Sequence, residues 1–483
     1  MIATMISYEA ERLTVGELCK KATFLEKLNN AKYNAKKRYP SYRLQFSLKG
    51  VEPQRMTLFC LLYPSKTLSG MYDPILCMNE HMTLSSIERA VRGKIQSKIA
   101  KLKKYEKVFA RNEDVSWYYL APMLLDGYDY TEAWIGSLID VVAQSEEAGE
   151  DAISSDKGNK AFHAHIRKLR DLMHNRGKLS LGRMPRDLVS VLTDMTLASP
   201  AVCVYRSNGQ NAAFATALAK IFLNYFNTTE STAVIQLSSE RHHARKSDDS
   251  AHWQDVLTYS KDGCFQSMFD EYLHLVTESV TFFDGEDRAR QVQNIMLSDL
   301  RIHTASYDVD TFQDFKKRVN GKTNSEDNDA IMKMRAHYAV GFINSGTENQ
   351  KTALRKDSIR GAFNSPLKPF ILATTSIGQE GLDFHNYCRK IVHWNLPSNP
   401  IDLEQREGRI NRYKCLAIRQ NIVEKYGGIK FRKDVWVELF QTAENERQPG
   451  QSELVPYWCF GKNQDIKIER IVPMYPMSKD GLN

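Results

Sequence analysis

No apolar run in this chain of 483 residues approaches the roughly 20 residues that a bilayer-spanning helix requires. The first dozen residues also lack the basic, apolar and small-residue regions, in that order, that mark a secretory signal. A cytoplasmic protein without a membrane partner is expected. Cysteine pairing is missing too. The eight cysteines, at 19, 60, 77, 203, 264, 388, 415 and 459, include no Cys-x-x-Cys pair and have no histidine at zinc-ligand spacing beside them. They read as reduced thiols used for packing, with no metal site. No internal repeat is evident. Charge of one sign is scarce as well: the net charge of +8 permits a polyanionic partner without requiring one. What is present, 42% apolar residues and 10% aromatics, excludes global disorder and suffices for two or three domains.

Along the chain, residues 1–13 read as an amphipathic helix with Ile2, Met5, Ile6 and Ala10 on one side. Residues 42–48 alternate like a strand, and residues 56–62 are a second strand candidate. Ser85 and Glu88 have capping-box spacing, after which Ile87, Val91, Ile95, Ile99 and Leu102 mark a long helix. The other faces of that helix carry Arg89, Arg92, Lys94, Lys98, Lys101, Lys103 and Lys104. Such a face is ordinarily solvated, and nucleic-acid contact is the competing reading. The acidic, glycine-containing stretch 146–158 is the best linker candidate. Helical patterns resume at 161–173, 188–198, 212–226, 253–259 and 265–276, and residues 324–329 read as a polar loop. Past Gly428 an aromatic-bearing extension, with Trp436, Tyr457, Trp458 and Phe460, is expected to pack on the preceding α/β core.

Two segments carry chemistry. The first is Ala373-Thr374-Thr375-Ser376-Ile377-Gly378-Gln379-Glu380-Gly381-Leu382-Asp383-Phe384; the second is Gln405-Arg406-Glu407-Gly408-Arg409-Ile410-Asn411-Arg412. If the second is helical, Gln405, Gly408, Arg409 and Arg412 share one face. Two guanidinium groups there, with no acid near in sequence on that face, suit a phosphate chain. Asn399 can cap this helix, Pro400 fits its first turn, and Asp402 and Glu404 stand where the helix dipole favours acids. Residues 355–363 read as a helix ended by Asn364-Ser365-Pro366. Residues 369–373 and 390–395 read as short strands, which makes a parallel α/β layout.

At these residues the chain resembles the second RecA-like domain of superfamily 2 helicases and translocases, most closely bacterial helicase-like proteins of the Swi/Snf-related group. The segments correspond to motifs five and six of that family. The resemblance implies an α/β fold: a RecA-like parallel-sheet domain (residues 1–19 and 336–427, its first strand missing) interrupted by a large, mainly helical insertion (20–335) and followed by a short C-terminal extension (428–483). It implies that Arg409 and Arg412 are catalytic and face ATP, whose γ-phosphoryl charge they neutralise. It places Gln405, Gly408, Gly381 and Asp383 at the nucleotide, with Gly408 letting backbones approach, and puts Thr374 and Thr375 on the nucleic-acid backbone. For the threonines, capping of a turn is the plain alternative.

The half that would hold ATP and Mg²⁺ is not legible. Asn320-Gly321-Lys322-Thr323 ends like a Walker A loop, but Lys316 stands where the first glycine belongs. Asp270-Glu271-Tyr272 lies in a helical pattern of Phe265, Met268, Phe269, Tyr272 and Leu275, so it is no Walker B strand. His242 and His243, beside Arg241, Arg245 and Lys246, read as a solvated basic patch. The expected function is thus the C-terminal half of an ATP-dependent helicase or translocase, inactive alone. Its partners would be nucleic acid, DNA before RNA, and an N-terminal RecA-like half encoded elsewhere that supplies most of the ATP and Mg²⁺ site. The alternative is a non-enzymatic adaptor that keeps the fold and binds nucleic acid or protein through the insertion.

Overall fold

The computed structural model describes residues 44–107, 109, 111–147, 152–228, 252–280, 285–301, 304–309, 332–337, 350–367, 370–372, 383–393, 396–460 and 466–472, with a few isolated residues between 231 and 238. The expectations for residues 1–13, for Arg241 to Lys246, for Asn320 to Thr323 and for the loop 324–329 lie outside them. Two compact units result, one of residues 1–297 and 418–466, the other of residues 298–417 and 467–483.

The first unit begins with β1 (Ser47–Lys49) and β2 (Glu52–Gln54), an antiparallel pair. A 3₁₀ turn (Met56–Leu58) leads into α1 (Phe59–Leu62), and α2 (Lys66–Ser69) and α3 (Pro74–Asn79) follow. The expected strand over 56–62 is therefore helical. A short apolar run does not itself distinguish a buried strand from a buried helix, and all four α1 residues are buried. Next come α4 (Leu84–Ile99), α5 (Ser116–Asp126), α6 (Tyr128–Glu147) and α7 (Ala152–His174). The N-cap of α4 is Thr83, whose hydroxyl accepts from Ser86 N–H at 3.3 Å, not Ser85; Glu88 instead meets the Lys261 ammonium at 2.7 Å. On the inner face Val91, Ile95 and Ile99 are buried as expected, and the basic residues named above are exposed.

The core lies under α8 (Leu188–Ala198), α9 (Pro200–Ser207), α10 (Ala212–Phe226), α11 (His252–Asp262) and α12 (Phe265–Ser279). Ser199, extended as the residue before a proline must be, separates α8 from α9, and its hydroxyl donates to Cys60 C=O at 2.8 Å. Trp134 packs edge-on against Tyr63 at 4.8 Å, and its indole N–H donates to Thr216 at 2.8 Å. No single helix among the described residues is long and apolar enough to cross a membrane.

A polar network runs through this core. The Arg206 guanidinium donates to Ser69 C=O at 2.9 Å, Thr196 C=O at 2.6 Å and Gln266 Oε1 at 2.5 Å. Asp270 accepts from Ser207 Oγ at 2.5 Å and Gln266 Nε2 at 2.9 Å, and burial raises its carboxyl above the ordinary range. Asp270 is thus a structural acid inside a helix.

The second unit takes up the end of α13 (Gly285–Asp299), then β3 (Thr304–Val309) paired antiparallel with β4 (Met332–His337), and α14 (Gln350–Phe363). It continues with β5 (Lys390–Val392), α15 (Pro400–Gly408) and the start of α16 (Leu416–Tyr426). Still in the first unit, α17 (Val435–Asn445) follows; β6 (Glu469–Ile471) closes the second unit by pairing parallel with β5.

The mainly helical character expected of the chain is observed, and the sheets among the described residues are two-stranded, with one pair parallel. A parallel RecA-like sheet is not what they show. Residues 370–372, expected to be strand, are irregular: Ile371 is 87% exposed and only Leu372 packs on the core, which is not the two-sided burial of a central strand. The strand expected over 390–395 is observed at Lys390–Val392, and Trp394 and Asn395 lie outside the described residues. The aromatic extension also departs from expectation. Trp436 lies 6.3 Å from His274, Asp434 accepts from His274 at 3.3 Å, and Asn79 exchanges two bonds of 2.7 Å with the Phe431 backbone, all within the helical unit.

In the second unit Asp299 lies against Gly361 of α14, and a Cβ at that position would collide with its carboxylate. Burial raises the Asp299 carboxyl to about 6, against an opposing pull from Arg360. A carboxyl whose folded value is raised favours the fold while protonated, and that contribution is lost as pH climbs from about 4 through 6. Asp299→Asn is expected to raise the thermal midpoint by a few degrees at pH 8 and by much less at pH 4.5, in parallel melting curves. Gly361→Ala should lower it at both.

Candidate functional site

The segment Gln405 to Arg412 starts as the sequence requires. Asn399 Oδ1 accepts from Ile401 N–H at 3.0 Å, Pro400 occupies the first turn, and Asp402 lies in it. It does not continue as expected. The helix ends at Gly408 with Arg409 as C-cap, and Arg412 lies beyond it. Ile410 N–H and Asn411 N–H both donate to Glu407 C=O at 3.1 Å, which tightens the last turn. Gln405 and Gly408 are thus helical, whereas Arg409 and Arg412 sit on a turn and share no helix face with them.

The reason is tertiary. Phe384 N–H, at the end of the first motif, donates to Arg409 C=O at 2.8 Å, and Leu416 N–H donates to His385 C=O at 3.0 Å. Between these bonds Ile410 packs with Phe363 and Phe384, whose rings meet edge-on at 5.6 Å, and Leu372, Cys388, Ile391 and Ile468 cover the cluster. The two motifs are thereby joined through backbone and core.

Their side chains meet as well. Arg412 Nε lies 2.8 Å from Asp383 Oδ1, with both side chains partly exposed. The expectation of an arginine pair with no acid nearby is corrected for Arg412: Asp383, far in sequence, is its partner. The pair is partly solvated, worth on the order of 0–1 kcal/mol, so it orients the guanidinium without locking it. Asn364 Nδ2 fixes Asp383 C=O at 2.7 Å.

Sequence reasoning missed a second ionic contact. Glu407 Oε1 stands 3.5 Å from His393 Nε2 and 3.2 Å from an Arg470 guanidinium nitrogen, tying the helix that carries Gln405 to both strands of the parallel pair. Burial pushes the His393 imidazole below its usual value, with Glu407 pulling the other way. No periodicity announces this contact, because His393 and Arg470 come from distant strands.

Gly408 has no neighbour within 4 Å of an added Cβ, so close approach within the chain does not require glycine there. Gln405 is exposed. Thr374, Thr375 and Gly381 lie outside the described residues. Among the described residues no cluster of His, Cys, Asp and Glu could hold a metal ion. The two guanidinium groups of the second motif suit an anion.

Residues 311–414 match the family model of the helicase conserved C-terminal domain, a stretch that contains both motifs. The match is consistent with the C-terminal domain of superfamily 2 helicases and marks this part of the chain as the kind of domain found in helicases and translocases, with nucleic acid as the general class of partner. No curated protein and no solved structure matches the chain.

Ile410→Ala should cost about 2–5 kcal/mol and speed hydrogen exchange at the Phe384 amide, because it empties the cluster that holds the two motifs together. Unchanged exchange there would mean that the backbone bond stands without the core.

Proposed function

We propose that the chain is the C-terminal half of an ATP-dependent nucleic-acid helicase or translocase, completed by an N-terminal RecA-like half. The observation that carries this reading is the joining of Arg409 and Arg412 to the first motif through Phe384 and Asp383. It presents two guanidinium groups on a braced turn, as a finger acting across a domain cleft needs. In the reaction a water oxygen bonds to the γ-phosphorus while the bond to the β,γ-bridging oxygen breaks, and charge develops on the equatorial and leaving oxygens. Arg409 and Arg412 neutralise that charge. Asp383 engages Nε of Arg412, so the terminal nitrogens of that fork are the ones offered to phosphate. Asp383 thus positions Arg412 beside the nucleotide, and Gln405, Gly408 and Gly381 are the further nucleotide contacts in this reading. Thr374 and Thr375 contact the nucleic-acid backbone, with DNA the preferred form. ATP and Mg²⁺ are held mainly by the other half.

The test uses the chain in complex with its N-terminal half, for which the product of the adjacent upstream reading frame is the first candidate. Arg409→Ala or Arg412→Ala should lower nucleic-acid-stimulated ATP hydrolysis by about 10³-fold and leave oligonucleotide binding nearly intact. Arg412→Lys should rescue poorly, since lysine lacks the planar fork. The chain alone should not turn over ATP. Near-normal hydrolysis by both alanine variants in the complex would remove the motor reading and leave the adaptor.

A further inference from the structure

We propose that the helical unit carries its own binding surface for single-stranded nucleic acid, formed where the basic segment that follows α4, a 3₁₀ helix (Ala100–Tyr105) and the residues after it to Arg111, meets the loop at residues 176–186. The choice of partner rests on reading this chain as a nucleic-acid protein; the surface itself belongs to the other unit from the arginine turn and stands on separate observations.

The first observation is an excess of positive charge, which Glu106, Glu113 and Asp114 offset only in part, with Asp114 acting on Lys107. Between Arg89 and Arg111 the only acid is Glu106, and its carboxylate accepts from Met184 N–H at 3.0 Å. Lys103, Lys104, Lys107 and Arg111 are all exposed. A single basic helix of this kind would be an ordinary solvated face, but a second segment joins it. Residues 176–186 contain no acid, and Lys178 and Arg183 are exposed there. At the margin, Arg186 is shared with Glu113 at 3.8 Å.

Backbone pairing brings the segments together. Leu181 N–H donates to Tyr105 C=O at 2.8 Å, Lys107 N–H to Leu181 C=O at 2.9 Å, and Arg183 N–H to Asn112 C=O at 2.9 Å. Gly182 makes this approach possible: an added Cβ would stand 2.9 Å from Asp114 Cβ and 3.0 Å from Asn112 C=O. The fold thus holds two segments with a shared excess of positive charge side by side, about the Asp114 carboxylate that accepts from Gly182 N–H at 3.0 Å, and that excess attracts a polyanion to the exposed cations.

The third observation selects the polyanion. Phe109, between Lys107 and Arg111, is 92% exposed. A large apolar ring standing in water inside a basic loop suits stacking against an unpaired base, while the cations follow the phosphates. In a duplex the base faces are already stacked, so the ring favours single strands. A lipid surface would call for several apolar side chains together; between Leu84 and Val115, Phe109 stands alone among the exposed large hydrophobics of the described residues.

The test measures fluorescence anisotropy of a labelled oligothymidylate with the full chain, against a duplex and against phosphatidylserine vesicles. Wild type should prefer the single strand, with affinity falling as salt rises. Each lost phosphate contact lowers the log–log salt slope by about 0.7, so Lys104→Gln with Lys107→Gln should flatten it by up to about 1.4 and weaken binding. Phe109→Ala should weaken single-strand binding by about tenfold, leave duplex binding unchanged, and be rescued by Phe109→Tyr. Lys430→Gln with Lys433→Gln, the same charge change at exposed positions elsewhere in the unit, should bind like wild type. Wild-type binding by the loop variants, equal losses in the control, or preference for vesicles would overturn the proposal. These readings need no ATP and no second chain, so they fail or succeed independently of Arg409 and Arg412.

Discussion

The hydrogen bond from Phe384 N–H to Arg409 C=O, at 2.8 Å, is the constraint on which the second unit turns. Had the helix run on past Gly408, that carbonyl would have been committed to the N–H four residues later. Given instead to Phe384, it ends the helix and turns the chain inward. Ile410 can then enter the cluster of Phe363 and Phe384, and Arg412 comes round to Asp383. A single backbone bond therefore sets the register between two motifs more than twenty residues apart. Glu407 braces the same turn from the other side through His393 and Arg470.

The helical unit is organised by a different device. Arg206 gathers two backbone carbonyls and Gln266, and Gln266 passes the network on to Asp270 and Ser207. A buried cation or carboxylate is costly unless its hydrogen bonds are met, so the network tolerates few alternative arrangements of α8, α9 and α12. Two isolated parallel bridges, Glu106 with Leu181 and Glu113 with Arg183, set side by side two segments that are separate runs in the sequence.

Much of the architecture was legible where signals are local. The helices at Leu188–Ala198 and Ala212–Phe226 have the bounds their apolar spacing predicts, because a long periodic segment buries one face whatever packs on it. The start of α15 was equally readable, since Asn399 and Pro400 act within one turn of themselves. Short segments failed. Residues 56–62 became a helix and residues 370–372 remained irregular, because a run of a few apolar residues acquires its form from what covers it.

The sequence alone determined the two motifs, their identity as a helicase C-terminal signature, the N-terminal end of the arginine helix and the buried faces of the long helices. These depend on side chains within a turn or two of one another. The tertiary structure decided where that helix stops, which acid Arg412 meets, that residues 390–392 pair with residues 469–471, and that residues 418–466 join the helical unit. It also decided that two basic segments some seventy residues apart lie side by side. Each of these rests on a bond or contact between distant parts of the chain, and periodicity carries no information about which distant partner will arrive.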